Sequence, residues 1–341
     1  MNQRIEWIDL LKGIGILFVV AGHSALSPGF VGYIFSFHMP LFFFLSGYLF
    51  SAGKYPDFKS FLGKKARSLL VPYFSFALVS MVLIFLMNWF LLGAVSDIPG
   101  MVGDTLVSTR NSIAYNNPLW FLTALFCLES IYYLLRRFLS SKVLLVLAVL
   151  FLSVLGFRTS GSPILPWTFD SAMYFLVFYA IGNLMKEKSL DGKGPDLIRQ
   201  LMVFAVVLVG VRQIWELFVF DVGFLTSGLT YIGRYFLYAV GPGMFGIAVY
   251  ALVSQWLGRT KWPKAGLSYL GRNSLIIMAL HYPLFYLFDL VNNLTLGLPP
   301  SNGLGLLKTA VALCLLVPVI GLINRYMPFI LGKPRQRDVV R

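Results

Sequence analysis

Two apolar stretches near the N-terminus hold polar side chains that hydrocarbon does not accept without a reason. Lys12 and His23 stand in KGIGILFVVAGHS, and His38 and Ser46 stand in FHMPLFFFLSGYLF. An ionisable side chain at the bilayer centre costs roughly 3 kcal/mol on insertion scales, so such groups line cavities or substrate paths. Lys12 and His23 are eleven positions apart. That is three helical turns plus about 20°, which puts them on one face at a separation of about 16 Å. Asp9 joins this face three residues before Lys12. Gly13, Gly15 and Gly22 thin the helix, leaving room for a neighbouring backbone or an extended ligand.

A second helix, returning from the outside, puts His38 near its outer end and close in depth to His23, with Pro40 in the first helical turn. Ser46 lies deeper. A buried serine bonds its own helix carbonyl more often than it touches substrate, which favours packing or positioning. His281 in LIIMALHYPLF makes all three histidines intramembrane. No HxxxH spacing or adjacent acid marks them as metal ligands. Arg212 and Glu216, four residues apart, are expected to neutralise each other. Glu129 has no partner nearby in sequence, and both a cation on another helix and the substrate remain open to it. Trp120 in NNPLWFLTALF fits an interfacial aromatic belt.

The elements that position these residues are membrane helices. The chain is 58% hydrophobic and 12% charged, with a mean hydropathy of +0.77. It is therefore expected to be an all-α, polytopic membrane protein with no soluble domain. Ten apolar spans are expected, near Leu10–Ala25, Ile34–Phe50, Leu69–Leu92, Leu119–Leu135, Val143–Phe157, Ala172–Met185, Leu201–Phe220, Tyr235–Trp256, Ser274–Val291 and Leu306–Ile323. With the N-terminus inside, all of the 28 basic residues except Arg110, Arg158, Arg212, Arg234 and Lys308 fall on the cytoplasmic side. This positive-inside pattern puts both termini in the cytoplasm. It also accounts for the net charge of +14 without a nucleic-acid partner. Asp9, Lys12 and His23 argue against a removable signal peptide at the start. Cys127 and Cys314 both fall in spans and are read as packing residues.

These motifs together resemble the acyltransferase-3 family of bacterial membrane O-acyltransferases, in particular its fucose 4-O-acetylase-like branch. RIEWIDLLKGIGILFVVAGHS is similar to the family's opening motif, here Arg4, Asp9, Lys12 and His23. FHMPLFFFLSGYLF, NPLWFLTALF and SLIIMALHYPLF are similar to three later signatures. Lys12 stands where the family often has arginine, so a guanidinium fork is missing there. The resemblance implies a stand-alone, multi-pass enzyme of the bacterial cytoplasmic (inner) membrane. It would move an acyl group, with acetyl expected, from cytosolic acyl-CoA to a hydroxyl of a surface or lipid-linked saccharide, with polysaccharide-assembly proteins as partners. No permanently bound cofactor is implied.

On that reading Lys12, with Arg4, Lys64, Lys65 and Arg67, holds the CoA phosphates, and Asp9, Trp120 and His281 complete the substrate-binding set. The pantetheine arm follows the glycine-thinned helix toward His23, the general base. His38 orients the acceptor or stabilises the oxyanion, with Ser46 as a further donor. An acyl-enzyme route stays open. The rival reading is a transporter or flippase of polysaccharide intermediates, for which a basic inner face and buried polar groups are equally natural.

Overall fold

The computed structural model describes residues 6–159, 165–190, 232–233 and 235–333. Arg4, the expected span at 201–220 and its pair Arg212 and Glu216 lie outside the described residues. Every regular element among those described is helical. Helix α1 (Glu6–Gly22) and α2 (Pro28–Leu49) form the N-terminal hairpin. Then come α3 (Phe58–Lys65), α4 (Val71–Met87), α5 (Ile98–Val107), α6 (Trp120–Phe138), α7 (Lys142–Thr159) and α8 (Phe169–Leu190). After the undescribed stretch follow α9 (Gly241–Leu257), α10 (Lys261–Arg272), α11 (Ser274–Thr295) and α12 (Asn302–Tyr326).

Seven helical stretches among the described residues are long and apolar enough to cross a bilayer: Pro28–Leu49, Phe58–Leu92, Ala114–Phe138, Lys142–Thr159, Tyr235–Leu257, Ser274–Thr295 and Asn302–Tyr326. The chain is thus a polytopic membrane protein. Helices α1 and α8 coincide with the first and sixth expected spans. Leucine, valine and phenylalanine side chains lie exposed along α7 and α12, among them Leu147, Phe151, Leu307 and Leu322. An outward apolar face suits lipid rather than water. Cys314 is exposed on α12, so it is not the packing residue expected from sequence.

Glycines decide how closely the helices cross. A Cβ on Gly47 of α2 would overlap the Tyr179 backbone of α8, and one on Gly182 of α8 would overlap the Phe44 carbonyl of α2. The same reciprocity ties α1 to α10: Gly13 meets the Leu267 carbonyl and Gly271 meets the Asp9 carbonyl. Small residues on both sides let the backbones touch and gain dispersion contacts along the crossing. The glycines of α1 therefore receive protein. Gly15 faces Leu41 and Phe42, and Gly22 faces Ile34 and Phe35, which corrects the expectation that an extended ligand runs along them.

Three further expectations change. Helix α1 ends at Gly22, and His23 occupies the tight turn after it, its N–H donating to Val20 O at 3.2 Å. Helix α2 starts at Pro28, whose absent N–H costs nothing in a first turn. Pro40 consequently lies inside the helix, where it has no N–H to donate to the preceding turn, and His38 is the eleventh of 22 residues rather than near an end. The third span is continuous with α3 through a π-helical turn, Ala66–Leu70, in which Val71 N–H reaches back to Ala66 O. Pro72 follows immediately and cannot donate, so the wider register absorbs the missing bond.

Candidate active site

A cavity of about 320 Å³ opens among α1, α2, α6, α11, the π turn and the loop before α6. Its size falls in the range of small-molecule sites. From α1 and the turn that follows it, the cavity takes Lys12, Ile16, Val19 and His23. These fall at intervals of four, three and four residues, the repeat of a single helix face. Lys12 therefore lies toward one end of this wall and His23, just past the last helical turn, toward the other. The α2 wall supplies Phe35, His38, Met39, Phe42 and Ser46.

His38 is 4% exposed, and its Nδ1 lies 2.8 Å from Ile34 O. A carbonyl only accepts, so Nδ1 is the protonated nitrogen and Nε2 keeps its lone pair. In this tautomer His38 can accept a hydroxyl proton but cannot donate to an oxyanion. Ser46 Oγ donates to Phe42 O at 2.8 Å, which occupies its hydrogen. His23 also faces His281, with ring centroids 5.4 Å apart, and Phe35, at 5.7 Å. His281 is fully buried and does not line the cavity.

Of the remaining wall, only Trp120 was expected from the sequence. Arg110, Asn111, Asn117 and Trp120 line it, together with Phe121 and Phe175. Trp120 is 7% exposed and stacks on Phe175, which removes it from any interfacial belt. The Arg110 guanidinium sits over the Trp120 ring, 5.2 Å from its centroid. Burial pushes the Arg110 pKa down, while the Asp170 carboxylate opposes that shift. A guanidinium stays protonated under such shifts. The loop is pinned by Asn116, whose Nδ2 donates at 2.7 Å to both Ser80 Oγ and Ala279 O. Asn117 Oδ1 is buried without a partner beside the cavity. The sequence signal for this wall was Arg110, one of the few basic residues outside the cytoplasmic set, six positions before an Asn-Asn pair.

The basic cluster divides. Ser68 and Leu69 of the π turn line the cavity. Lys65 turns away to Glu129, 2.9 Å from Oε1 and 2.8 Å from Oε2, and Tyr179 Oη donates to the same carboxylate at 3.3 Å. Glu129 thus has its cation from another helix. Lys64 lies over the Tyr55 ring, 5.4 Å from the centroid, and Arg67 is exposed. Asp9 is half-buried and outside the cavity wall.

The cavity thus combines a lysine and imidazoles on its α1 and α2 side with polar and aromatic residues from the loop before α6 and from α6. A family profile described as an acyltransferase domain matches residues 5–325. The nodulation protein NolL of Sinorhizobium fredii is 26% identical over 219 residues, covering 60% of this chain and 55% of NolL. The chain thus spans about half the length of that curated relative. No solved structure matches it. Since the profile runs from before α1 to the last turn of α12 and takes in every wall of the cavity, the chain belongs to the acyltransferase-3 family.

Proposed function

We propose that the protein is a membrane O-acyltransferase that moves an acyl group, acetyl by preference, from cytosolic acyl-CoA to a hydroxyl of an extracytoplasmic or lipid-linked saccharide. One observation carries this reading: Lys12, on α1, and His23, in the turn that ends it, line the same cavity. A cation at the inner end suits CoA phosphates, and a neutral imidazole farther out suits a hydroxyl that must lose its proton. Both termini are cytoplasmic and ten helices cross the bacterial inner membrane in this reading. The asymmetry of basic residues supports that orientation.

In the reaction, His23 takes the proton of the acceptor hydroxyl as its oxygen attacks the thioester carbonyl. The C–O bond forms, the tetrahedral intermediate collapses, the C–S bond breaks, and the CoA thiolate leaves and regains a proton. His38, with a lone pair on Nε2, orients the acceptor by accepting a hydrogen bond from a hydroxyl. The remaining donors on the far wall, Arg110, Asn111 and Asn117, are suited to sugar oxygens and to the charge that develops on the carbonyl. Trp120 and Phe121 offer flat apolar surfaces to a sugar ring.

The reading is tested with purified protein in sealed vesicles, given acetyl-CoA and a lipid-linked saccharide. Free thiol released only when both substrates are present, with acetyl found on the sugar, is the expected result. Movement of unmodified saccharide across the vesicle membrane without thiol release would establish a transporter instead.

A further inference from the structure

His281 is completely buried in α11, with Nδ1 hydrogen-bonded to Ile277 O at 3.0 Å. The carbonyl can only accept, so Nδ1 holds the proton and Nε2 holds an unshared pair. Nε2 is buried with no partner. Unpaired polar atoms at such depth are rare and call for a reason. The adjacent donor is His23, whose ring centroid is 5.4 Å away at an interplanar angle of 44°. The last torsion of a histidine is broad. A turn of the His23 ring, with a small shift of the side chain, would bring one of its N–H groups within hydrogen-bond reach of Nε2.

We infer that His281 is the positioning residue for His23: its Nε2 accepts an N–H of His23, which leaves the other His23 nitrogen unprotonated and turned to the cavity. The inference rests on the proposed acyl transfer. When His23 takes the acceptor's proton it becomes an imidazolium, and the His281 lone pair stabilises that cation while holding the ring in place. A neutral imidazole does here what a carboxylate does in hydrolase triads, without adding a charge at membrane depth. The other groups facing His23 do not serve. Phe35 has no lone pair, Tyr282 meets the ring edge-on with centroids 5.7 Å apart, and His38 lines the cavity where the acceptor binds.

The test compares His281→Leu with His281→Gln at equal amounts of folded protein. Leucine should lower kcat about 10- to 100-fold, the scale of a misplaced catalytic group, with both KM values little changed. Glutamine, whose amide oxygen can accept the same bond, should restore most of the loss. In a His23→Ala background, His281→Leu should add nothing. An active wild type with a fully active Leu variant, with Gln no better than Leu, or with independent losses in the double variant overturns the assignment alone. A wild type without acyl transfer overturns the proposed function as well. Nitrogen-15 histidine NMR of the unmodified protein tests the same point without a variant. His281 should appear as the Nδ1–H tautomer accepting a bond from an imidazole N–H, and a proton on its Nε2 would exclude the role.

Discussion

Lys65 and Glu129, 64 positions apart in the chain, form an ion pair in which the ammonium lies 2.9 Å from Oε1 and 2.8 Å from Oε2. The carboxylate side chain is 4% exposed and the lysine 18%. This pair fastens the π turn, which supplies Ser68 and Leu69 to the cavity, to α6. Removing one partner of a buried pair strands the other charge and costs about 3–5 kcal/mol. Lys65→Ala should therefore lower the thermal stability of the detergent-extracted protein sharply, and Lys65→Ala with Glu129→Gln should recover much of it. Unchanged stability of Lys65→Ala together with a raised KM for acyl-CoA would return Lys65 to phosphate binding.

Arg110 is expected to govern the acceptor. Its guanidinium lies on Trp120 at the wall opposite the histidines. Replacement by alanine should raise the KM for saccharide about tenfold, close to 1.4 kcal/mol, while the KM for acyl-CoA stays constant. Lysine should restore little, because a point charge lacks the planar fork that stacks and donates in pairs. Steady-state kinetics with each substrate varied separately would distinguish this from a general defect.

Ser46 lines the cavity, yet its hydroxyl proton goes to Phe42 O. A back-bonded serine contributes little to helix stability or chemistry. Ser46→Ala should keep kcat/KM within about threefold, below 1 kcal/mol. A loss of a hundredfold or more would show that the hydroxyl leaves Phe42 to act on the intermediate.

Gly47 and Gly182 set the contact between α2, which bears His38 and Ser46, and α8. A methyl group at either position meets backbone atoms that cannot give way. Gly47→Ala should cost about 1–3 kcal/mol, the usual range for overpacking, and should shift His38 enough to lower activity. Differential scanning fluorimetry at matched detergent would measure the first effect. A variant as stable as wild type would show that α2 and α8 can separate freely.

Much of the fold was legible in the sequence because uninterrupted apolar runs have few alternatives. The spans beginning near Ile34, Leu119, Val143, Tyr235, Ser274 and Leu306 each correspond to a long apolar helix. Helix ends were not legible. The stop of α1 before His23 and the interior position of Pro40 depend on where α2 starts, and apolar residues fill both sides of those boundaries. Helix α10 was hidden in what read as a charged connection, since its lysines obscure the face that packs on α1. At the site, Lys12 and His23 could be placed on one face from spacing alone, and the cavity is lined at i, i+4, i+7 and i+11 accordingly. Partners from distant segments could not. Glu129 with Lys65, Arg110 with Trp120 and His23 with His281 are products of helix packing that no local pattern records.

In the proposed reaction, Lys12 and His23 divide the work between donor binding and proton transfer. The most direct test of this division is acyl incorporation into saccharide by His23→Ala and Lys12→Ala at equal membrane expression. His23→Ala should lower kcat by about 10²–10⁴-fold, the range for a lost general base, with acyl-CoA binding intact, and Lys12→Ala should chiefly raise the KM for acyl-CoA. Wild-type turnover by His23→Ala, or unchanged acyl-CoA saturation in Lys12→Ala, would contradict the account.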